Sequence, residues 1–323
     1  MIQRQKQLIL VIHLRLINKL KMPNQLFINK KIGTFDKKII ISGDKSLSIR
    51  WVLLASQASG KSKGFNLLMS EDVVAALETI KKLGIKVLVR KGHCEIYGKG
   101  INNFKYKSGL VIDAKNSGTL GRLILGLLIK SPKKIKMVGD KSLSKRDFSR
   151  VTIPLEKFGV KFSYKIKNKL PLTILGTQSA KGIKYLENKG SAQCKSSIML
   201  AALNASGTTS IKAKKSRNHT ELLFKYLKIP IKVRKTKKFD FIDIKKPKKI
   251  NAFNYQIPGD ISSSAFFIVL TTLADNSKLL IKNVNINPSR VGVITILKKM
   301  GAQIILKNQK NYRGEKISDI LIK

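Results

Sequence analysis

Acid is scarce in this sequence: 18 Asp and Glu stand against 65 Lys and Arg, a formal charge of +47 over 323 residues. Such a balance raises nucleic-acid binding as a first hypothesis. The cations are spread along the whole chain with little aromatic interleaving, so no dedicated groove stands out. The densest runs, Arg234 to Lys238 and Lys245 to Lys249, read as solvated hairpin edges, which lysine protects from pairing. Cysteine is nearly missing. Cys94 and Cys194 lie far apart without Cys-x-x-Cys spacing, which argues against a disulfide framework or a zinc site and fits a reducing compartment, the cytoplasm. The three histidines, His13, His93 and His219, lack metal-ligand spacing, so no metal is expected. No apolar run approaches the length of a membrane span, and no membrane partner is expected.

Residues 1–21 are basic, acid-free and partly apolar. They lack the small-residue cleavage site of a signal peptide and the serine content of a transit peptide. They read as an unstructured extension, with more typical coding from Met22-Pro23-Asn24.

What is present is ample apolar residue, 43% of the chain, enough to fill the cores of two domains. An amphipathic helix, a glycine and a strand recur at a period of roughly seventy residues. The copies are 73–89, with Asp72 as cap, then 147–162, 220–233 and 290–305. Short strands are expected at 26–28, 39–41 and 65–68. Between the copies lies a second helix type, apolar on all faces and therefore buried, at 48–56, 119–129, 196–203 and 262–273. Each follows a Gly/Ser/Asn-rich turn. A helix N-terminus carries free N–H groups and partial positive charge, which favour anions. Four such ends in register suggest a polyanion site, and their nearby cations reinforce it.

The richest turn is Gly43-Asp44-Lys45-Ser46-Leu47-Ser48-Ile49-Arg50, where Lys45 and Arg50 add charge beside a capped helix; the plain alternative is a Ser-capped core helix with a solvated lysine. Asn116-Ser117-Gly118-Thr119-Leu120-Gly121-Arg122 adds an amide and a glycine that lets a ligand approach the backbone, with Arg122 read as a surface residue in the structural alternative. Asp140 to Arg146 reads as a basic loop around the planar fork of Arg146, or as a solvated turn. Ser191-Ala192-Gln193-Cys194-Lys195-Ser196 offers hydroxyl and amide contacts, with Cys194 read as a small buried hydrophobe. Ser216-Arg217-Asn218-His219-Thr220-Glu221 opens a further helix; Arg217 is the ligand contact there and His219 a structural cap.

Seven segments, GDKSLSIR, NSGTLGR, GDKSLSKR, SAQCKSS, SRNHTE, PGDISSSAFF and NPSRVGVITILKKMGA, occur in this order. Together they make the chain, from about Leu26 to its end, resemble the 5-enolpyruvylshikimate-3-phosphate synthases (3-phosphoshikimate 1-carboxyvinyltransferases). The related UDP-N-acetylglucosamine enolpyruvyl transferases fit less well, lacking a match for their reactive cysteine loop. The resemblance implies an α/β fold of two inside-out α/β barrel domains built from βαβαββ units. It implies crossings between domains near Gly43 and Pro258, so that 44–257 form a complete second domain, and 22–43 with 258–323 an incomplete first one. It further implies that Lys45, Ser46, Arg50, Ser191, Gln193 and Arg217 hold shikimate 3-phosphate. Lys45, Asn116, Gly118, Arg146 and Gln193 would meet phosphoenolpyruvate, with Lys45 also in a catalytic role. No cofactor is implied, and a monomer is expected. Ser42 and Asp147 stand where the family has proline, and Asn218 where it has aspartate. The family's Asp-Glu-x-Pro and Lys-Glu-Ser-Asp-Arg segments are not in this sequence, so little turnover is expected of these 323 residues alone. The alternatives are the UDP-N-acetylglucosamine enzyme and a non-catalytic nucleic-acid binder, the latter with a steep salt dependence.

Overall fold

A computed structural model describes residues 32–323; the expected strand at 26–28 and the extension 1–21 lie outside them. The chain enters with β1 (Asp36–Ile40) and runs through a first set of elements: α1 (Lys45–Gln57), β2 (Ser59–Phe65), α2 (Glu71–Lys82), β3 (Lys86–Arg90) and β4 (His93–Lys99). A second set is β5 (Val111–Asp113), α3 (Gly118–Leu127), β6 (Ile135–Val138), α4 (Lys141–Ser144), α5 (Ser149–Glu156), β7 (Lys161–Tyr164) and β8 (Leu172–Leu175). A third is β9 (Lys184–Glu187), α6 (Ala192–Ala202), β10 (Thr208–Lys214), α7 (His219–Tyr226), β11 (Ile231–Lys235) and β12 (Phe239–Lys245). After β13 (Tyr255–Gln256) come α8 (Ile261–Leu273), β14 (Lys278–Asn285), α9 (Gly292–Lys299), β15 (Ile304–Tyr312) and β16 (Glu315–Ile322).

Among the described residues four four-stranded sheets result, ordered β13-β2-β4-β3, β5-β6-β8-β7, β9-β10-β12-β11 and β1-β14-β16-β15. All four share one pattern: a leading strand parallel to its neighbour, then an antiparallel pair. Two leading strands are exchanged. β1 precedes α1 in the chain but pairs with β14, while β13 precedes α8 but pairs with β2. The chain therefore crosses twice between the two sheet systems, at Ser42-Gly43 and Pro258-Gly259. The crossings run side by side: the Asp44 amide donates to Pro258 O (2.8 Å) and the Asp260 amide to Ser42 O (3.1 Å). Gly43 admits no side chain, because a Cβ there would sit 2.0 Å from Asn66 O.

Two hydrophobic cores follow this division. One gathers α1, α3 and α6 with the three sheets of residues 47–257; the other joins Ile41, α8 and the β14–β16 sheet. The apolar helices α1, α3 and α6 are indeed buried. α3 and α6 touch so closely that a Cβ on Gly126 would lie 2.1 Å from Ser197 O. Because that neighbour is backbone, Gly126→Ala is expected to cost about 1–3 kcal/mol through overpacking. An unchanged urea midpoint would show that the helices can part.

Three local expectations are corrected. The strand expected at 65–68 is instead β2, Ser59–Phe65, and the chain turns at Asn66 (φ 55°), whose Nδ2 donates to Ile41 O and Ile257 O. Helix α2 is capped at Ser70, not Asp72, which lies in its first turn. And α8, apolar throughout, is not buried on all sides: Phe266 and Leu273 are 79% and 70% exposed. Its Ile261, Ser264, Ile268 and Thr271 side is buried, and its main contacts among the described residues are with β14 and β16. The helices α1, α3 and α6 are covered from several directions.

Candidate functional site

Three helices begin with the same local chemistry. Asp44 Oδ1 accepts from the Leu47 amide (3.0 Å), Ser117 Oγ from Leu120 (3.2 Å) and Ser191 Oγ from Cys194 (3.2 Å). Each cap satisfies one amide; the neutral serine caps leave the partial positive charge of α3 and α6 in place, while the Asp44 carboxylate offsets part of that of α1. The ends of α1, α3 and α6 meet, together with the start of α7, at one polar cavity of about 280 Å³. Its walls include Lys45 and Ser46 from α1, Gly118 and Thr119 from α3, Ala192 and Gln193 from α6, and Arg217 and His219 from the α7 turn. Arg50, Asn116, Arg146 and Asp72 complete it. The start of α8 does not line it; α7 takes the fourth place.

The cavity is strongly electropositive. Lys45, Arg50, Arg146 and Arg217 line it against one carboxylate, Asp72, which pairs with Lys45 Nζ at 3.3 Å. Arg146 and Arg217 have no ion pair among the described residues. Arg50 is 5% exposed: its guanidinium donates to Thr220 Oγ1 (2.8 Å), Ser196 Oγ (2.9 Å) and Ser46 O (3.0 Å). Burial draws its pKa down to about 10, opposed by Glu221 and Asp44; it stays charged at neutral pH. Asn116 is held by Asp140 Oδ2 (2.6 Å). Gln193 ties two helix ends together, accepting from Arg122 Nη1 (2.9 Å) and donating to Thr119 Oγ1 (3.0 Å).

All the expected site residues except Ser191 line this cavity; Ser191 sits one residue back, capping α6. Arg122, read from sequence as a surface residue in one alternative, stacks over Phe148 at 5.2 Å and holds Gln193. The signal was its i+4 spacing from Gly118, which puts it one turn further on along the same face of the helix. Burial, then Arg146 and Arg150, lower its pKa. Cys194 is a small buried residue: its Sγ lies 2.8 Å from Arg150 O, and burial pushes the thiol up to about 12. His219 is fully buried, with Nδ1 2.7 Å from Glu315 Oε1. Among the described residues no cluster of three His, Cys, Asp or Glu side chains could hold a metal, and no helix is long and apolar enough to cross a membrane.

A two-domain α/β fold of this kind has solved counterparts. An EPSP synthase from Acinetobacter baumannii superposes with a TM-score of 0.82 at 34% identity, over 90% of this chain and 66% of that one. A 3-phosphoshikimate 1-carboxyvinyltransferase of Thermoanaerobacter sp. (strain X514) is 40% identical over 286 residues, 88% of this chain and 66% of the relative. One from Bacillus subtilis (strain 168) is 36% identical over 294 residues, 90% of this chain and 67% of the relative. The chain thus spans about two thirds of the length of the curated relatives it matches. The family description "EPSP synthase (3-phosphoshikimate 1-carboxyvinyltransferase)" matches residues 29–322, and the chain belongs to that family.

Proposed function

We propose that the cavity binds shikimate 3-phosphate and phosphoenolpyruvate and serves transfer of the enolpyruvyl group to the 5-hydroxyl of the former, with release of phosphate. The observation that carries this is the meeting of four helix N-termini and four lining cations in one small polar cavity with a single carboxylate. Two polyanions repel each other in water; fixed dipoles and guanidinium groups offset that repulsion and hold them within reach. In this reading Lys45, Ser46 and Arg50 hold shikimate 3-phosphate from α1, with Gln193, Arg217 and, from its place behind the α6 turn, Ser191. Asn116, Gly118, Arg146 and Gln193 hold phosphoenolpyruvate, and Lys45 lies between the two. The hydroxyl oxygen adds to C2 of the enol while a proton goes to C3. The hydroxyl proton is lost in that addition; the tetrahedral adduct then expels phosphate as C3 gives up a proton, which restores the C2–C3 double bond of the transferred enolpyruvyl group. Lys45, beside Asp72, is the group in the cavity suited to move the hydroxyl proton.

The same reading divides the chain into 44–257 as one domain and the flanking 22–43 and 258–323 as part of another, which the two separate cores support. A monomer in the cytoplasm, acting on small anions rather than on nucleic acid, belongs with it. Calorimetric titration tests it. Shikimate 3-phosphate is expected to bind with Kd of about 1 mM or tighter, a range set by a few charge-assisted hydrogen bonds. UDP-N-acetylglucosamine and an oligonucleotide should leave no saturable heat. Saturable binding of either, without binding of shikimate 3-phosphate, would overturn the assignment.

A further inference from the structure

One buried cation lies outside the cavity and touches both crossings. Arg290, in the turn before α9, has a side chain 10% exposed. Its Nη1 donates to Asp44 Oδ2 (3.0 Å), and its Nη2 to Asp260 Oδ1 (3.1 Å) and Ser262 Oγ (2.7 Å). Asp44 and Asp260 are the N-caps of α1 and α8, the first residues after Gly43 and Gly259. Each aspartate has a second engagement. Asp44 Oδ1 caps α1, and Asp260 Oδ2 accepts the backbone amide of Lys45 at 3.3 Å. The main chain of Lys45, a cavity residue, is therefore held by a carboxylate that Arg290 holds.

A third arm reaches His219. Arg290 Nη1 lies 3.5 Å from His219 Nε2, while His219 Nδ1 faces Glu315 Oε1 at 2.7 Å. Glu315 Oε2 accepts from Asn285 (3.2 Å) and Asn287 (3.0 Å), and Asn287 also donates to Asn218 Oδ1 (2.8 Å). One proton arrangement satisfies every partner: Nδ1–H donates to Glu315, and Nε2 accepts from Arg290. His219 borders the cavity at the start of α7 with its ring buried, whereas Arg290, Asn285, Asn287 and Glu315 all belong to the β14–β16 side of the crossings.

We propose that Arg290 is a positioning residue for the cavity: a latch whose planar fork spans the two crossings and sets where Lys45 and His219 stand. A planar guanidinium reaches two carboxylates and an imidazole nitrogen from two nitrogens held apart, whereas an ammonium offers its three donors from a single atom. Without it, two N-cap carboxylates, buried or nearly so, lose their counter-charge at the place where the chain crosses between the two sheet systems.

The proposal rests on shikimate 3-phosphate as the cavity's ligand, and the test separates the two. Arg290→Gln and Arg290→Lys would be compared with wild type by calorimetry with shikimate 3-phosphate. Interdomain distances would be read from spin labels on cysteines placed at exposed Lys91 and Lys299. Arg290→Gln is expected to weaken binding by about tenfold or more, as loss of a charge-assisted contact does, and to broaden the distance distribution. Arg290→Lys, keeping the charge but losing the fork, should recover part of both, to within about threefold in affinity. Lys278→Gln, which breaks the exposed pair with Asp36 (3.0 Å), controls for loss of an ordinary ion pair and should change neither. If wild type binds while Arg290→Gln binds equally well with an unchanged distance distribution, the latch is refuted. If wild type does not bind, the ligand assignment falls, and the distances alone still decide the latch. Should Arg290→Gln not fold, Arg290→Lys decides: affinity and distances both at wild-type values would refute it.

Discussion

Replacing Lys195 by methionine is expected to destabilise the fold by about 3–5 kcal/mol, the usual cost of breaking one side of a buried ion pair. Lys195 is fully buried on α6, and its Nζ lies 2.6 Å from Oε1 of Glu221, itself 4% exposed. Beyond this contact, neither Nζ nor the second oxygen, Oε2, has a hydrogen-bond partner among the described residues. Methionine keeps the length of the stem, so the variant removes charge rather than volume. Left alone, the Glu221 carboxylate must shed its charge or draw in water, and it also supports the charge of buried Arg50. Urea unfolding gives the measurement through the midpoint at constant slope. The double variant Lys195→Met with Glu221→Leu should recover much of the loss, since an apolar pair of similar volume avoids the desolvation of both ions. A single-variant loss below about 1 kcal/mol would mean that the pair is solvated, as surface pairs are.

Gly118→Ala is expected to weaken phosphoenolpyruvate binding roughly 10- to 100-fold while leaving shikimate 3-phosphate within about threefold, the range of one or two charge-assisted hydrogen bonds. A Cβ at Gly118 would stand 3.0 Å from Nη1 of both Arg122 and Arg146. Side-chain ends can give way, so the fold should tolerate the methyl, and alanine favours the helix. What yields is the position of the two guanidinium groups. Arg122 is anchored by Gln193 and by Phe148, so the displacement falls mainly on Arg146 and on the space beside it. Titrating both ligands against wild type and variant separates the cases. Equal affinity for phosphoenolpyruvate would show that Gly118 does not border its subsite.

The helix–glycine–strand repeat and the capped apolar helices were legible because each rests on local chemistry: a cap, a 3.6-residue period, a stop. Much of the cavity was legible for the same reason, since the first turns of α1, α3 and α6 form three of its walls, whereas α7 in place of α8 was not expected. β2 was not. Its Ser-Gly-Lys-Ser-Lys-Gly-Phe sequence has little strand propensity and forms where glycines admit close neighbours. A Cβ on Gly64 would strike Trp51 at 2.8 Å, and one on Gly98 would strike Ala58 O at 2.2 Å. The exchange of β1 and β13 had no local signal, and the crossings near Gly43 and Pro258 were expected only from the family resemblance: β13 is only two residues long, and its pairing with β2 is fixed by partners 191 positions away, as in the bond from the Lys63 amide to Asn254. Arg290 escaped notice for a related reason. Its carboxylate Asp44 is 246 residues distant, and no local pattern marks an arginine whose partners lie at the other end of the chain. The exposed side of α8 was missed because apolarity alone does not tell how many sheets a helix meets.

The strand exchange also sets an order in time. β1 leaves the ribosome with its partner β14 still 242 residues away, the separation between Asp36 and Lys278. At about 5–20 residues per second, that interval is roughly 10–50 s. The sheets of residues 86–245 pair over shorter separations and can close as they emerge, whereas β1 waits unpaired. Ile40, 74% exposed even in the finished sheet, then sits on an open strand edge beside nascent apolar segments, the kind of surface on which chains associate. Slow synthesis between β4 and β14 would therefore lengthen the period of exposure, and aggregation during expression should track translation speed more closely than it tracks thermodynamic stability.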